Sequence, residues 1–113
     1  MTSPLKRIQN EISCTHLPYV RSIEHRENPL HVEIHFKGPN GTKHFPTLFR
    51  IVLQFPENYP YRPPVLAFAD QESADNLPMS VHRLKLLKPS VWQVPFQIQD
   101  ILEGIQYLLR VDL

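Results

Sequence analysis

Histidine and cysteine often perform chemistry in proteins, and this sequence contains six histidines and one cysteine. His31 and His35 fall on the same face of a predicted strand, roughly 13 Å apart at ~3.3 Å of rise per residue. Two histidines at this separation cannot directly ligate one metal ion. The row His31, Glu33, His35 and Lys37 therefore predicts a solvated sheet face of mixed charge, with a partner-contacting face as the alternative. No metal and no other cofactor is expected.

Thiol chemistry is the other candidate, because Cys14 is the only cysteine. A catalytic cysteine needs a lowered pKa and a neighbouring base. His16 is close in sequence, but Cys14 falls at the end of a predicted helix, where a small half-buried residue is the favoured interpretation. The candidates Ser80, Ser90 and His82 lack the context of a catalytic triad. The residues alone therefore identify no active site.

Length and composition favour one globular domain spanning residues 1–113, because 42% of the residues are hydrophobic and 20% are charged. A net charge of +1 gives no electrostatic sign of a nucleic-acid partner. A single cysteine excludes an intrachain disulfide and suggests a reducing compartment. No apolar run approaches the ~20 residues of a membrane span, and no signal-peptide pattern follows the N-terminus. A cytoplasmic or nuclear location is expected, with no membrane partner.

Two helices are predicted, one near each end of the chain. The first spans residues 4–14, with Ser3 as its cap and an apolar face of Leu5, Ile8 and Ile12. The second runs from about Phe96 to Leu109 and carries a wide apolar face. Gly104 weakens this helix by roughly 1 kcal/mol relative to alanine, so packing must hold it. The first helix is predicted to expose Lys6, Arg7, Gln9, Asn10 and Glu11.

A four-stranded antiparallel meander is predicted between these helices. The clearest strand is Leu30–Lys37, in which apolar and polar residues alternate strictly. The turn Gly38–Gly41 follows it. Asp70 to Ser80 is predicted to be irregular, and residues 81–87 to form an extended or one-turn segment. The remaining predicted strands are Tyr19–Glu24 at an edge, Thr47–Phe55 and Val65–Phe68. This order predicts an α+β fold whose C-terminal helix packs on one sheet face.

A proline-rich joint, Phe55–Pro64, connects the last two strands. It contains four prolines and two tyrosines in ten residues. Proline fixes φ and removes a backbone donor, so the segment can be neither helix nor central strand. A rigid extended bend is expected.

Several motifs occur in an order that resembles the ubiquitin-conjugating enzyme fold over about residues 4–110. They are Leu5-Lys-Arg-Ile8, Gly38-Pro-Asn-Gly-Thr42, the Phe-Pro…Tyr-Pro…Pro-Pro run of the joint, and Trp92 followed by an apolar helix. The resemblance implies a cis peptide bond at Tyr59–Pro60 and a buried Trp92. It also implies a chain that ends after the helix following Trp92, without the last two helices of the enzymes.

The same comparison of motifs reveals a departure at the active site. Active members of the family carry His-Pro-Asn after the Pro-Pro pair, and a cysteine eight residues beyond the Asn. The spacing from Pro64 to Trp92 matches the family without a gap. On this match the His-Pro-Asn positions are Ala74, Asp75 and Asn76, and the nucleophile position is Leu84. A leucine cannot form a thioester, so a pseudoenzyme is expected.

The resemblance is therefore closest to the catalytically inactive ubiquitin-conjugating enzyme variants. It implies a cofactor subunit or adaptor that binds an active conjugating enzyme, ubiquitin or a ligase subunit. An RWD-like scaffold domain with no tie to ubiquitin is the alternative, although the Gly-Pro-Asn-Gly turn together with the tryptophan favours the first. The residues implied to contact partners are Lys6, Arg7, Tyr61, Val94 and Pro95.

Overall fold

Four strands form one antiparallel sheet in the order in which they occur in the sequence, β1-β2-β3-β4. The computed structural model describes residues 3–27 and 29–112. Its elements are α1 (Pro4–Cys14), β1 (Val20–Glu27), β2 (Leu30–Lys37), β3 (Leu48–Gln54), β4 (Val65–Phe68), α2 (Gln71–Asn76), α3 (Met79–His82), a 3₁₀ turn (Lys85–Leu87) and α4 (Ile98–Val111). The predicted α+β fold, with its meander sheet and its helix at each end, is confirmed.

Strand β2 lies inside the sheet, between β1 and β3. Its residue Ile34 pairs with Ile23 of β1 and with Ile51 of β3. Alternate residues of β2 and β3 are fully or almost fully buried, while the residues between them are more accessible to solvent. The period of two in the sequence therefore has the expected cause, a sheet with one covered face. The buried set is Val32, Ile34, Phe36, Phe49, Ile51 and Leu53.

Helix α4 supplies the other half of the core. Five apolar side chains of this helix are inaccessible to solvent and belong to the same hydrophobic cluster as the inner face of the sheet: Ile98, Ile101, Leu102, Ile105 and Leu109. The buried Gln106 adds a polar tie, because its Nε2 donates to the carbonyl oxygen of Lys37 at 3.0 Å. Among the helices of the described residues, none is long and apolar enough to cross a membrane.

Two short helices occupy the segment from Asp70 to Ser80, so the prediction of irregular structure there is wrong. Asp70 caps α2, with its Oδ1 accepting from the backbone nitrogen of Ser73 at 2.7 Å. The Ser73 hydroxyl oxygen in turn accepts from the backbone nitrogen of Arg50 in β3 at 2.9 Å. A helix of six residues is too short to show a 3.6-residue period in the sequence, which is why the prediction missed it. The cap at Asp70 and the contact with Arg50 stabilise it.

Three predictions about the burial of residues in α1 can be compared with the structure. Glu11 was expected on the exposed face, but its side chain is 4% exposed and therefore buried, because it bonds Arg7 of the same helix and groups from two other parts of the chain. Cys14 was expected to be half-buried, but it is exposed at the last position of the helix. Of the predicted apolar face, Ile8 is fully buried and Ile12 packs against the core, while Leu5 is only partly buried.

The connection between β2 and β3 is longer than the short turn predicted at Gly38–Gly41. It spans residues 38–47, with a turn at Asn40 and Gly41, where Gly41 has φ 79°. Gly38 is needed for close approach, because a Cβ at that position would stand 2.1 Å from the carbonyl oxygen of His44. The backbone nitrogen of Gly38 also donates to the carbonyl oxygen of Thr47, which closes the loop.

Candidate functional site

The positions matched to the family's active site lie on α2 and just after α3. Ala74, Asp75 and Asn76 form the last turn of α2, where Asp75 accepts from the amide of Gln71 at 2.8 Å. Leu84 immediately precedes the 3₁₀ turn, and its side chain is 8% exposed. It lies against α4, since a Cβ on Gly104 would be 3.7 Å from its Cδ1. The matched nucleophile position is therefore a packed hydrocarbon side chain.

Leu84 also lines two neighbouring surface cavities. The first has a volume of about 620 Å³ and extends to the joint at Pro64 and to Val65 of β4. The second has a volume of about 630 Å³ and extends to Tyr107 of α4. Leu84, Arg83 and Lys88 line both cavities. We call this double cavity the Leu84 groove.

The proline-rich joint bends as predicted and holds its two tyrosines in opposite environments. Tyr59 is buried, and the Tyr59–Pro60 peptide bond is cis, as the resemblance implied. Tyr61 is 72% exposed. The predicted burial of Trp92 is confirmed: its Nε1 donates to the carbonyl oxygen of Pro60 at 2.7 Å, and its ring lies 6.0 Å from the Tyr59 ring. The joint is therefore fastened to the segment before α4.

The carboxylate of Glu11 is the centre of a buried polar cluster behind this joint. It accepts hydrogen bonds from the Tyr59 hydroxyl, from the backbone nitrogen of Ile98 at 2.8 Å, and from Nε of Arg7 at 2.9 Å. Ile98 is the first residue of α4, so the negative charge sits at the positive end of a helix dipole. Burial, together with the neighbouring Glu11 charge, raises the pKa of Tyr59 well above its ordinary value, so its hydroxyl remains a donor.

The five predicted partner-contacting residues differ in what surrounds them. Lys6, Tyr61, Val94 and Pro95 are exposed. Arg7 is largely occupied within the chain, because its guanidinium bonds Glu11 and donates to the carbonyl oxygens of Val94 and Phe96. These bonds bring the first turn of α1 next to residues 94–96. The bond from Trp92 to the joint links the same segment to Tyr61's loop.

The outer sheet face predicted from the histidine row carries a chain of charges. His35 Nε2 lies 2.7 Å from Glu33, and Arg50 lies 3.5 Å from Glu33 and 3.6 Å from Asp70. The hydrogen bond from His35 is the main cause that lowers the pKa of Glu33. In the described part of the chain, no three His, Cys, Asp or Glu side chains are grouped so as to hold a metal ion. Each of these charged groups therefore has an oppositely charged or hydrogen-bonding neighbour on the same sheet face.

Two features escaped the sequence reasoning. Glu11 has a visible signal, because Arg7 stands four residues before it, at the spacing of a helical ion pair. The cations of the Leu84 groove also leave a local signal, because Arg83, Lys85 and Lys88 alternate with leucines in the segment 83–88. The contribution of Arg62 to the same groove has no local signal, since the fold alone brings the joint to that segment.

Comparisons with known proteins agree with this architecture. The sequence profile "Ubiquitin-conjugating enzyme" matches residues 7–112. Ubiquitin-conjugating enzyme E2-20 kDa of Schizosaccharomyces pombe is 33% identical over 82 residues, which are 73% of this chain and 47% of that protein. Ubiquitin-conjugating enzyme E2 2 of Yarrowia lipolytica is 33% identical over 73 residues, which are 65% of this chain and 48% of that protein. The chain thus spans about half the length of the curated relatives it matches.

Solved structures share the fold at lower sequence identity. Human ubiquitin-conjugating enzyme E2 G1 has a TM-score of 0.75 and 22% identity, over 95% of this chain and 92% of that chain. A ubiquitin-conjugating enzyme E2 from Plasmodium falciparum has a TM-score of 0.73 and 19% identity, over 95% and 98% of the two chains. With a family profile that covers almost every residue, a sheet and helices of the same arrangement, and sequence relatives from two yeasts, this chain belongs to the ubiquitin-conjugating enzyme family.

Proposed function

We propose that this chain is a non-catalytic member of the family, acting as a cofactor subunit or adaptor in the transfer of ubiquitin or a ubiquitin-like protein. The observation that carries the proposal is the identity of residue 84. Thioester exchange requires a thiolate at the matched position, and a buried leucine side chain offers no nucleophile. The sequence contains no cysteine between residues 15 and 113 that a shift in the match could supply.

Cys14 is a poor substitute for the missing nucleophile. It lines a small cavity between α1 and the start of α4, together with Glu11 and Gln97. Among the described residues, none that lines the two cavities beside Leu84 also lines that cavity. A thiol on α1 therefore opens onto a different part of the surface from the matched active position. This separation supports a role for the chain that does not include thioester chemistry.

Binding is the activity left to such a protein, and its exposed aromatic and apolar side chains are the best candidates. Tyr61 is exposed on a loop stiffened by four prolines, so it loses little conformational entropy when it docks. Val94 and Pro95 are exposed on the adjacent segment, and Lys6 lies on α1. The proposed partner is an active ubiquitin-conjugating enzyme, ubiquitin or a ligase subunit.

The catalytic half of the proposal is tested by incubating the protein with activating enzyme, ATP and ubiquitin, followed by a non-reducing gel. Wild type and Cys14→Ser should form no thiol-sensitive adduct, while an active conjugating enzyme in the same reaction does. Leu84→Cys should charge weakly or not at all, because Ala74 and Asp75 replace the His and Pro of the motif. A thiol-sensitive adduct on wild type that disappears in Cys14→Ser would overturn the proposal.

The adaptor half is tested by pull-down of purified candidate partners. Recovery of an active conjugating enzyme, ubiquitin or a ligase subunit, reduced by Tyr61→Ala, is the expected result. Recovery of none of these by a correctly folded protein would favour the RWD-like scaffold instead.

A further inference from the structure

The Leu84 groove has a charge pattern unlike that of the chain as a whole. The net charge of the protein is +1, with twelve Lys and Arg residues against eleven Asp and Glu. Four of those twelve cations line the groove: Arg62, Arg83, Lys85 and Lys88. In the described part of the chain, no Asp or Glu lines either cavity. The groove is thus a local concentration of positive charge on a nearly neutral molecule.

These four cations are also available to a partner. All four side chains are exposed. The ion pairs recorded among residues 3–27 and 29–112 involve Arg7, Arg26, Lys43 and Arg50, together with His35 and His44, but none of the four groove cations. Elsewhere on the surface the outer sheet face pairs its charges internally, as Arg50 does with Glu33 and Asp70. A carboxylate brought into the groove would therefore meet cations that form no competing ion pair with any other described residue.

The floor and rim between the cations are apolar. Val65, Met79 and Tyr107 are large side chains left mostly exposed at the edges of the two cavities. Leu84 and Leu87 also line the first cavity. Val65 belongs to β4, which is an edge strand of the sheet. An apolar side chain entering the groove would remove both its own surface and these exposed surfaces from water.

We infer that the Leu84 groove binds an extended segment of a partner protein in which Asp and Glu side chains flank apolar ones. The apolar side chains would occupy the two cavities, and the carboxylates would pair with Arg62, Arg83, Lys85 and Lys88, Arg being suited to bidentate bonds. This inference goes beyond the proposed function, because it needs neither ubiquitin nor a conjugating enzyme. Two neighbouring cavities that share Arg83, Leu84 and Lys88 as lining residues suit a ligand with at least two apolar anchors.

A nucleic acid would also be attracted by cations, but the groove fits it less well. Nucleic-acid affinity comes largely from neutralising many phosphates along a charged face. Here the cations surround aliphatic surface from Val65, Leu84 and Leu87, and the net charge is only +1. Aliphatic surface of this kind matches leucine-like side chains. The experiment therefore includes an oligonucleotide as a competing outcome.

The test measures fluorescence anisotropy with a labelled peptide, Gly-Ser-Glu-Asp-Leu-Glu-Asp-Leu-Ser-Gly. Matched peptides carry Gln and Asn in place of Glu and Asp, or Ser in place of Leu. The double variant Arg83→Glu with Lys88→Glu is compared with wild type. The matched control, Arg21→Glu with Arg110→Glu, makes the same change in net charge on exposed residues outside the groove. Circular dichroism checks that both variants remain folded.

We expect the acidic peptide to bind wild type and the control variant alike, and the groove variant about tenfold more weakly or worse. Both substituted peptides should also bind more weakly, and a peptide with Lys in place of Glu and Asp should prefer the groove variant. Equal weakening by the two double variants would overturn the inference, as would binding that does not depend on Leu. Tighter binding of a single-stranded oligonucleotide than of the peptide would likewise overturn it. The outcome of the thioester assay does not bear on peptide binding, so either proposal can fail while the other holds.

Discussion

The hydroxyl of Tyr59 lies 2.9 and 2.8 Å from the two oxygens of the Glu11 carboxylate, and the two residues are 48 positions apart in the sequence. Glu11 also accepts from the backbone of Ile98, 87 positions away. One carboxylate therefore joins α1, the proline-rich joint and the start of α4. Because both residues are buried, removing the Tyr59 hydroxyl would leave the Glu11 carboxylate with only its bonds to Arg7 and Ile98 among the described residues.

The first prediction removes only the Tyr59 hydroxyl. Tyr59→Phe should lower the free energy of unfolding by about 1.5–3 kcal/mol, the range for a hydrogen bond to a charged group. Urea unfolding followed by circular dichroism measures the change. Tyr107→Phe is the matched control, because this ring is mostly exposed, and it should change stability by no more than about 0.5 kcal/mol. Equal effects of the two substitutions would show that the Glu11 cluster contributes little.

The second prediction compares two glycines that differ in the space around them. Gly38→Ala would bring a Cβ 2.1 Å from the His44 carbonyl oxygen, so the backbone must shift, at a cost of about 1–3 kcal/mol. Gly104→Ala would meet only the Leu84 Cδ1 at 3.7 Å, an ordinary contact in a helix interior. It should stabilise the protein by about 0.5–1 kcal/mol. Melting temperatures that moved in the same direction for both variants would contradict this account.

The third prediction separates docking from packing at Tyr61. Because the ring is 72% exposed, Tyr61→Ala should leave the free energy of unfolding within about 0.5 kcal/mol of wild type while reducing recovery of the partner. Leu48→Ala, another exposed apolar residue, serves as the control and should retain partner binding. If Tyr61→Ala instead lowered the melting temperature and left recovery of the partner unchanged, its ring would be a packing group of the joint.

The fourth prediction concerns acid. The hydrogen bond between His44 and Asp112 is the main cause that holds the pKa of Asp112 below its ordinary value of 3.8, and the charge of Lys43 lowers it further. A carboxylate whose pKa is lowered by folding stabilises the folded state above pH 3.8, and this contribution is lost as the pH falls through the lowered pKa. Asp112→Asn should therefore melt below wild type near neutral pH.

The difference in melting temperature between Asp112→Asn and wild type should shrink as the solution is acidified past that range. Glu57→Gln, a change at an exposed residue outside this contact, should show no such convergence. A difference for Asp112→Asn that stayed constant from neutral to strongly acid solution would argue against the His44 contact.

The sequence predicts most of the sheet and both long helices because their apolar residues repeat with a clear period. Strand Leu30–Lys37 was predicted at its observed bounds, and the last helix was predicted about two residues too early in the sequence. Helix α2 escaped because six residues cannot show a helical period and because its support, the bond from Arg50 to Ser73, comes from a distant strand. Short sequence patterns predict structure formed by neighbouring residues, whereas this contact joins residues 23 positions apart.

In the candidate site, too, some residues could be predicted from the sequence and others could not. The motif spacing predicts Leu84, but the burial of Glu11 depends on where Tyr59 and Ile98 come to lie. Polarity alone assigns a glutamate to the solvent face of a helix. The Leu84 groove depends likewise on the fold bringing Arg62 beside Arg83.

The sheet order described above bears on how the molecule folds. Each strand pairs with its neighbour in sequence, so the sheet can form by closing short loops. The hydrogen bonds of Glu11 span 48 and 87 residues, so the entropy of much longer loops opposes them. We expect them to form after the transition state, and Glu11→Gln to accelerate unfolding while leaving the refolding rate nearly unchanged. Stopped-flow measurements of the two rates test this order of events, in which the sheet forms the folding nucleus and the two terminal helices dock onto it last.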